Sequence, residues 1–583
     1  MNLHAATAVL STATANTAIE AALPAGFTPS TTAVAGNVWL TALVGVIPLL
    51  LFFVLLGVFK VKTHWCSLAS LAVAIILAVV AFGMPLPLTL LSATQGVALG
   101  LVPIIYIIVA AVWLYSLTEK SGRSNDLRAV FNSIGKGDMR AQALIVSFSF
   151  CGLLEGLAGF GAPVAITGAM LVALGVPAIK AAVLTVVGNA INVGFGAMAI
   201  PITTAGRLGG ENPLYVGALM GRLSWILAAF IPLILLGIMD GTRGIRQLWP
   251  LALVAGAATA IGHFFTPTFS YELTAVTASL LGLAASALFL LVWTPITPEE
   301  ERSHVDTTNA PDRQRIALAL LPYILVVVVI GFTKLWRVGV DVDALLKSTD
   351  VKIQWPGLYG ELLTTSGEPS GSAIYTLQIL SNPGTWIFVT GLIVAVVYAA
   401  YGKPGSFEMP LSRSLAALPQ TIYNLRLSLL TIALVMALAF VMNFSGQTSA
   451  IGAALAATGA AFAFLSPLLG WTGTAVAGSA TSAGALFANL QATAAAGANL
   501  EPGVLLAGNT IGGGLGKIVS PQNLTVAATA IGEPGSEAEI LRKAAPFSIA
   551  LVLTLCVLVF MASQGWFGSY LPDPTAFPNG AGV

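Results

Sequence analysis

Two ionisable residues stand isolated in long uncharged stretches. Glu155 is the sole charged residue between Arg140 and Lys180, and Lys517 the sole one between Glu501 and Glu533. A carboxyl group withdrawn from water holds its proton more readily than a solvated one, so Glu155 is a candidate to carry a proton. The other reading makes it a structural partner for a helix N-terminus or a lysine. Lys517 either pairs with a substrate carboxylate or snorkels its ammonium to the membrane interface. Small and neutral polar residues accompany both: Gly159, Gly161, Asn189 and Asn192 with Glu155, and Ser479, Thr481, Ser482, Asn509, Thr510 and Gly513 with Lys517. Glycine lets backbone N–H groups approach a ligand closely, and an interrupted helix presents unpaired N–H groups that stabilise an anion. Taken singly, each Ser or Thr is better explained by helix packing or by satisfying broken backbone; as two sets they suit binding of a small carboxylate. No H-E-x-x-H or GxSxG pattern is present, so no catalytic residue is expected. The four histidines form no pair at metal-ligand spacing, and neither a metal site nor a cofactor is expected.

The elements that must position these residues are membrane helices. Hydrophobic residues make up 57% of the 583 and charged residues 8%, against about a quarter charged in a soluble domain. Net charge is +1, which gives no reason to expect a nucleic-acid partner; the lipid bilayer is the expected one. Apolar stretches near the length of a bilayer span recur, among them 38–58, 97–117, 214–238, 246–264 and 427–443. The stretches 161–175, 180–200, 480–497 and 503–520 are short, Gly-rich or Pro-interrupted and read as re-entrant or broken helices, which survive at membrane depth only inside protein or beside a cavity. Basic clusters at Lys60/Lys62, Lys120–Arg140, Arg243/Arg246, Arg313/Arg315 and Lys403–Arg426 all fall on one side of the resulting topology. The positive-inside rule makes that side cytoplasmic and both termini extracytoplasmic. Arg207 and Arg222 flank a loop and read as interfacial anchors. The three cysteines are too few and scattered for a disulfide framework.

The pattern G-N-x-I-x-x-G-x-G-x-x-x-x-P occurs twice, at 188–201 and 508–521. Ser121-Gly122 and Ser445-Gly446 precede the two copies, and Ala158-Gly159 and Ala477-Gly478 lie between. The charge count puts Gly122 inside and Gly446 outside, so the copies enter from opposite faces. The expected fold is therefore an all-α polytopic membrane protein with an inverted-topology repeat of re-entrant or broken helices, whose site lies where the interruptions meet. The expected divisions are an extracytoplasmic tail 1–35, membrane helices 36–120, a first hairpin repeat 121–240, and connecting helices 241–444 with loops 294–314 and 334–382. A second hairpin repeat 445–563 and a C-terminal tail 564–583 complete the chain. Moving a monovalent anion into a negative-inside cell costs about 2.3 kcal/mol per 100 mV; an accompanying H+ cancels that charge, so H+ is the expected coupling ion.

Several segments resemble the lactate permease family of lactate/glycolate:proton symporters. AGNVWLTALVGVIPLL (35–50) is similar to its first span and EGLAGFGAPVAITGAMLVALGV (155–176) to its most distinctive segment. GFGAMAIPI (194–202), DGTRGIRQLWP (240–250), FVMNFSG (440–446), ALFANLQATAA (485–495) and GNTIGGGLGKIVSPQN (508–523) follow in order. The resemblance runs from about residue 35 to about 563, and is weakest over 294–425. It implies symport of short 2-hydroxy monocarboxylates (L-lactate, D-lactate, glycolate) with protons across a bacterial-type cytoplasmic membrane, and kinship with ion-transporter-like carriers whose hairpin-bearing halves move as an elevator. One departure concerns the second hairpin, GSATSAGALF at 478–487, where the family usually reads GSDTSSNALF. Ala480 and Gly484 stand where an aspartate and an asparagine are expected, which leaves open a sodium-coupled carrier or one of other specificity. A membrane-embedded enzyme is the reading of another class. Monomer and homodimer are both compatible with the sequence.

Overall fold

The computed structural model describes residues 26–577 except 60, 127–134, 158, 160, 303–311, 334–341, 365–366 and 403–406. Residues 1–25 of the expected N-terminal tail, 578–583 of the C-terminal one, 303–311, 334–341 and 365–366 of the expected loops, and Lys60, Arg128, Ala158 and Lys403 lie outside the described residues. Helices dominate, as apolar chain must where lipid offers no hydrogen bonds. Among the described residues, eleven helices are long and apolar enough to cross a membrane.

The first span is α1 (Val38–Gly45) and α2 (Ile47–Gly57), followed by α3 (Thr63–Val80) and α4 (Leu86–Leu99). The latter continues through a π-helical turn, Gly100–Ile105, into α5 (Tyr106–Lys120). The span expected over 97–117 thus begins earlier, at Leu86, because Pro85 and Pro87 occupy the first turn, where a missing N–H costs nothing.

The first hairpin rises through α6 (Met139–Leu144), a π-helical turn Ile145–Phe150 and α7 (Cys151–Leu157), and returns through α8 (Ala162–Ala173). Gly159 and Gly161 make the reversal at φ +55° and +87°, a region favouring glycine. A Cβ on Gly175 would meet Met139 Sδ at 3.5 Å, so both ends of the hairpin lie at one mouth. The chain then forms α9 (Ala178–Asn189), a 3₁₀ turn Ala190–Phe195 and α10 (Gly196–Leu208). Ala197, Met198 and Ala199 all adopt left-handed angles (φ 44°, 57° and 57°), a conformation costing about 1–2 kcal/mol per residue. The expected break in 180–200 falls there.

Next comes α11 (Pro213–Phe265), which reverses at Asp240 and Gly241 into two arms. The arms pack antiparallel: a Cβ on Gly237 would meet Ile245, and those on Gly256 and Gly221 would meet the carbonyls of Ala229 and His263. These are the stretches expected at 214–238 and 246–264. Then follow α12 (Thr274–Val292), α13 (Arg313–Thr333) and α14 (Val342–Lys347). The loop expected at 334–382 is in part ordered: β1 (Val351–Gln354) pairs antiparallel with β2 (Ile374–Leu377), Val351 opposite Leu377. Tyr375 Oη donates to Val102 O at 3.0 Å, which satisfies a carbonyl beside the non-helical Val102.

After α15 (Pro383–Ala400) comes α16 (Leu411–Ser445), which starts well before the expected 427. Its first part buries Ser414, Ala417 and Thr421 on one face, so it is amphipathic and too polar to register as a span. The second hairpin follows α17 (Gln447–Ala456) and consists of α18 (Ala461–Ala477) and α19 (Ala480–Gly497). Gly478 (φ +71°) ends α18, and Ser479 Oγ accepts the Ser482 N–H at 3.2 Å to start α19. The stretch 480–497, expected to be broken, is one continuous helix; the interruption sits just ahead of it, where glycine and a capping serine adjoin. A Cβ on Gly497 would meet Ala456 Cβ at 2.7 Å, so this hairpin also returns to its start. The last elements are α20 (Pro502–Gly516), a 3₁₀ turn Lys517–Val519, α21 (Pro521–Ala530) and α22 (Glu537–Ser563). The described portion of the C-terminal tail is not free: Phe577 is buried with its ring 5.6 Å from Tyr215.

The first arm of α11 relates the two hairpins. Near its start Tyr215 Oη lies 3.3 Å from Glu501, just after the second hairpin. At its end Asp240 pairs with Arg140, at the mouth of the first hairpin, at 2.8 Å. At 1.5 Å per residue the two points are about 38 Å apart, so the hairpin mouths lie at opposite ends of this arm.

Candidate functional site

The tips of both hairpins reach one cavity of about 120 Å³, room for several waters or one small carboxylate. Gly159 and Gly161 come from the first tip, and Gly478, Ser479, Thr481 and Ser482 from the second. Glycine is required at Gly478, whose Cβ would run into the Gln522 side chain.

Glu155 and Lys517 meet in the wall. Lys517 Nζ lies 3.1 Å from Glu155 Oε1, and Asn189 Nδ2 donates to Glu155 Oε2 at 2.7 Å. Both charges are nearly enclosed, at 2% and 9% side-chain exposure, so each depends on the other. The backbone also closes on the carboxylate: a Cβ on Gly196 would lie 2.7 Å from Oε1. The left-handed turn at 197–199 brings this segment round, and Ala197 and Pro201 belong to the wall. Among the described residues lining the cavity, Glu155 is the sole acid and Lys517 the sole base.

Eight of the expected site residues thus adjoin the cavity or its charged pair: Glu155, Gly159, Gly161, Asn189, Ser479, Thr481, Ser482 and Lys517. The other four stand behind the wall. Asn192 Oδ1 contacts His263 Nε2 at 3.3 Å, and Asn509 Oδ1 accepts from Gln491 Nε2 at 3.1 Å. Thr510 Oγ1 donates to Leu506 O at 2.8 Å, and a Cβ on Gly513 would face Thr474 Oγ1. Arg207 donates to Gln378, and Arg222 stacks over Phe264 at 3.4 Å. Ala480, at the position of the departure noted above, lies in the wall.

Sequence reasoning missed the opposite wall, where Ser428, Thr431 and Ile432 of α16 and Thr63 of α3 face the cavity. A polar pair at i, i+3 in an apolar run was the available signal. It also missed Asn523, whose Nδ2 donates to Lys517 O at 3.1 Å while its buried Oδ1 has no protein partner. The signal there was Ser520-Pro521, an N-cap and first helical residue, which begins a new helix at Asn523's end of the broken segment.

Interrupted helices that return on themselves around a small charged cavity, enclosed by membrane spans, define a polytopic membrane carrier. Comparison with known proteins specifies it: the L-lactate permease family model matches residues 41–564, and the chain belongs to that family. It is 36% identical over 555 residues to "Glycolate permease GlcA" of Escherichia coli K12, covering 91% of this chain and 97% of that protein. It is also 36% identical over 562 residues to an L-lactate permease of Bacillus subtilis 168, covering 92% and 98%. The family consists of permeases, and this chain is a transport protein, not an enzyme. Among solved structures, the YdaH transporter of Alcanivorax borkumensis is 17% identical with a TM-score of 0.40, over 81% of this chain and 86% of that one; so distant a likeness carries no argument.

Proposed function

We propose that this chain carries short 2-hydroxy monocarboxylates, lactate and glycolate, together with one proton. The observation that carries the reading is the Lys517–Glu155 pair in the cavity wall. Without substrate, the ammonium and the carboxylate sum to zero charge. A substrate carboxylate takes Lys517 from Glu155, and the released Glu155 carboxylate takes a proton. The loaded site is again neutral. Either intermediate with a net charge costs several kcal/mol at membrane depth, so only the empty and the fully loaded forms cross. One proton per monocarboxylate follows.

The neutral wall supplies the rest of the recognition. Asn523 lines the cavity, and its buried Oδ1, bound to no protein donor, would turn to accept the 2-hydroxyl group, while Ser479, Thr481 and Ser482 line the cavity at the hairpin tip. The opposed hairpin mouths along α11 support an inverted repeat and hence alternating access. Thr63 and Ser428 follow the basic residues Lys62 and Arg426, which supports a cavity facing the cytoplasm in a cytoplasmic membrane, with both termini outside.

Purified protein in liposomes, given an acid-outside gradient, should accumulate labelled lactate or glycolate without sodium. Accumulation that ignores the pH gradient and requires sodium would overturn the proton reading.

A further inference from the structure

A second polar feature lies behind Glu155 and takes no part in the cavity. Ser149 Oγ, Asn192 Nδ2, Thr259 Oγ1 and Ser279 Oγ are each buried without a hydrogen-bond partner, and their residues are at most 2% exposed. They gather at one helix crossing. A Cβ on Gly152 of α7 would lie 2.5 Å from both Asn192 Nδ2 and Ser279 Oγ. A Cβ on Gly282 of α12 would meet Thr259 Oγ1 and lie 3.3 Å from Ser149 Oγ. The crossing is reciprocal: Ser149-x-x-Gly152 faces Ser279-x-x-Gly282, each glycine clearing room for polar atoms of the other side. Asn192 is held from behind by His263, whose Nδ1 contacts Ser224 Oγ at 3.2 Å.

Leaving four buried polar atoms unpaired costs about 1–3 kcal/mol each, so the crossing demands a ligand that both donates and accepts hydrogen bonds. Water has both capacities. The amide donor and uncharged hydroxyls offer no carboxylate to hold a cation. The placement gives the site a role. Glu155 follows Gly152 by one helical turn and Ser149 by two, and Asn189, which holds Glu155, precedes Asn192 by one. From Glu155 the seam runs back along α7 as far as Ser149, in the arm that begins at the hairpin mouth.

We infer that this serine–glycine seam binds internal water and relays the proton of Glu155 towards the Arg140 end, apart from the substrate path. Glu155 gives its proton to a seam water; each hydroxyl accepts one proton and passes on another, and no electrons move. The inference rests on Glu155 being the proton carrier.

Thr259→Val keeps the side-chain shape and removes the hydroxyl, while Thr259→Ser keeps it. In liposomes Thr259→Val should slow pH-driven accumulation by about tenfold, leave lactate/lactate exchange within about twofold, and be rescued by Thr259→Ser. Ser279→Ala should behave like Thr259→Val. If Thr259→Val and Ser279→Ala accumulate substrate at the parent rate while Glu155→Gln does not, the seam is refuted and the carrier reading stands. If Glu155→Gln also accumulates substrate normally, the carrier reading itself fails. A Thr259→Val protein that unfolds at a higher temperature than the parent, with unchanged accumulation, would also refute bound water, since filling a dry site with a methyl group stabilises it.

Discussion

Lys517 Nζ lies 3.1 Å from Glu155 Oε1, although 362 positions separate the two residues in the chain. The contact joins the end of α20 to the arm of the first hairpin. In the proposed cycle, a substrate anion that engages Lys517 parts the end of α20 from the first hairpin at the same moment that it frees the Glu155 carboxylate. On that reading binding, protonation and a change of packing are one event.

Glu155→Gln fixes a neutral group where the proposed loaded carrier has a protonated carboxyl. The loaded site stays neutral, but the empty site now carries the bare charge of Lys517 and cannot return. Exchange of external for internal lactate should persist, and pH-driven accumulation should fall at least about a hundredfold. Paired counterflow and net-uptake assays measure this; net uptake at the parent rate would remove Glu155 from the coupling.

Lys517→Met removes the cation and strands a buried carboxylate, a loss of about 3 kcal/mol or more. Adding Glu155→Gln should recover most of it, because two neutral groups need no partner. Thermal unfolding of the single and double variants in detergent tests this. A double variant no more stable than Lys517→Met would show the pair to be uncoupled. Lactate binding should be weakened in both.

Asn523→Leu removes the acceptor proposed for the 2-hydroxyl group. The preference for lactate over propionate should fall about tenfold, the worth of one buried hydrogen bond. Competition of both acids against labelled lactate reads the ratio directly, independently of how much protein folds. An unchanged ratio would move recognition of the hydroxyl group elsewhere in the wall.

Gly478→Ala places a side chain at φ +71° against Gln522. The left-handed angle alone costs about 1–2 kcal/mol, and the methyl group presses on the cavity. Transport should be lost before the fold is. Parent-like affinity with a parent-like melting temperature would mean that this tip does not shape the site.

Asn125→Cys and Thr458→Cys test the opposed arrangement. Asn125 lies beyond the end of α5 and Thr458 between α17 and α18, both exposed, whereas Cys66, Cys151 and Cys556 are buried and should stay silent. An impermeant thiol reagent added to intact cells should label position 458 and not 125. Equal labelling of both positions would undo the inverted repeat.

Much of the fold was legible in the chain because the signals were local. A helix in lipid announces itself through its own apolar length, and Gly159, Gly161 and Gly478 mark interruptions through their own backbone freedom. The misread boundaries share a cause: an average over an apolar window cannot see that Pro85 and Pro87 begin a helix, nor that the polar start of α16 stays helical. The candidate site divided in a similar way. Asn189 and Asn509 occupy matching places in the repeated pattern, yet Asn189 holds Glu155 while Asn509 binds Gln491 behind the wall. Asn523, outside the pattern, faces the cavity.

The sequence by itself determined the solvent of each segment, the repeated interruptions and the two charges that membrane depth makes expensive, since all three depend on a residue and its near neighbours. Only the tertiary structure decided that those charges meet, that Ser428 and Thr431 oppose them, and that Ser149 and Ser279 face each other's glycines. Such contacts depend on how each helix is rotated against its neighbours, and a rotation that lipid tolerates equally well is fixed only by the packing of the whole bundle.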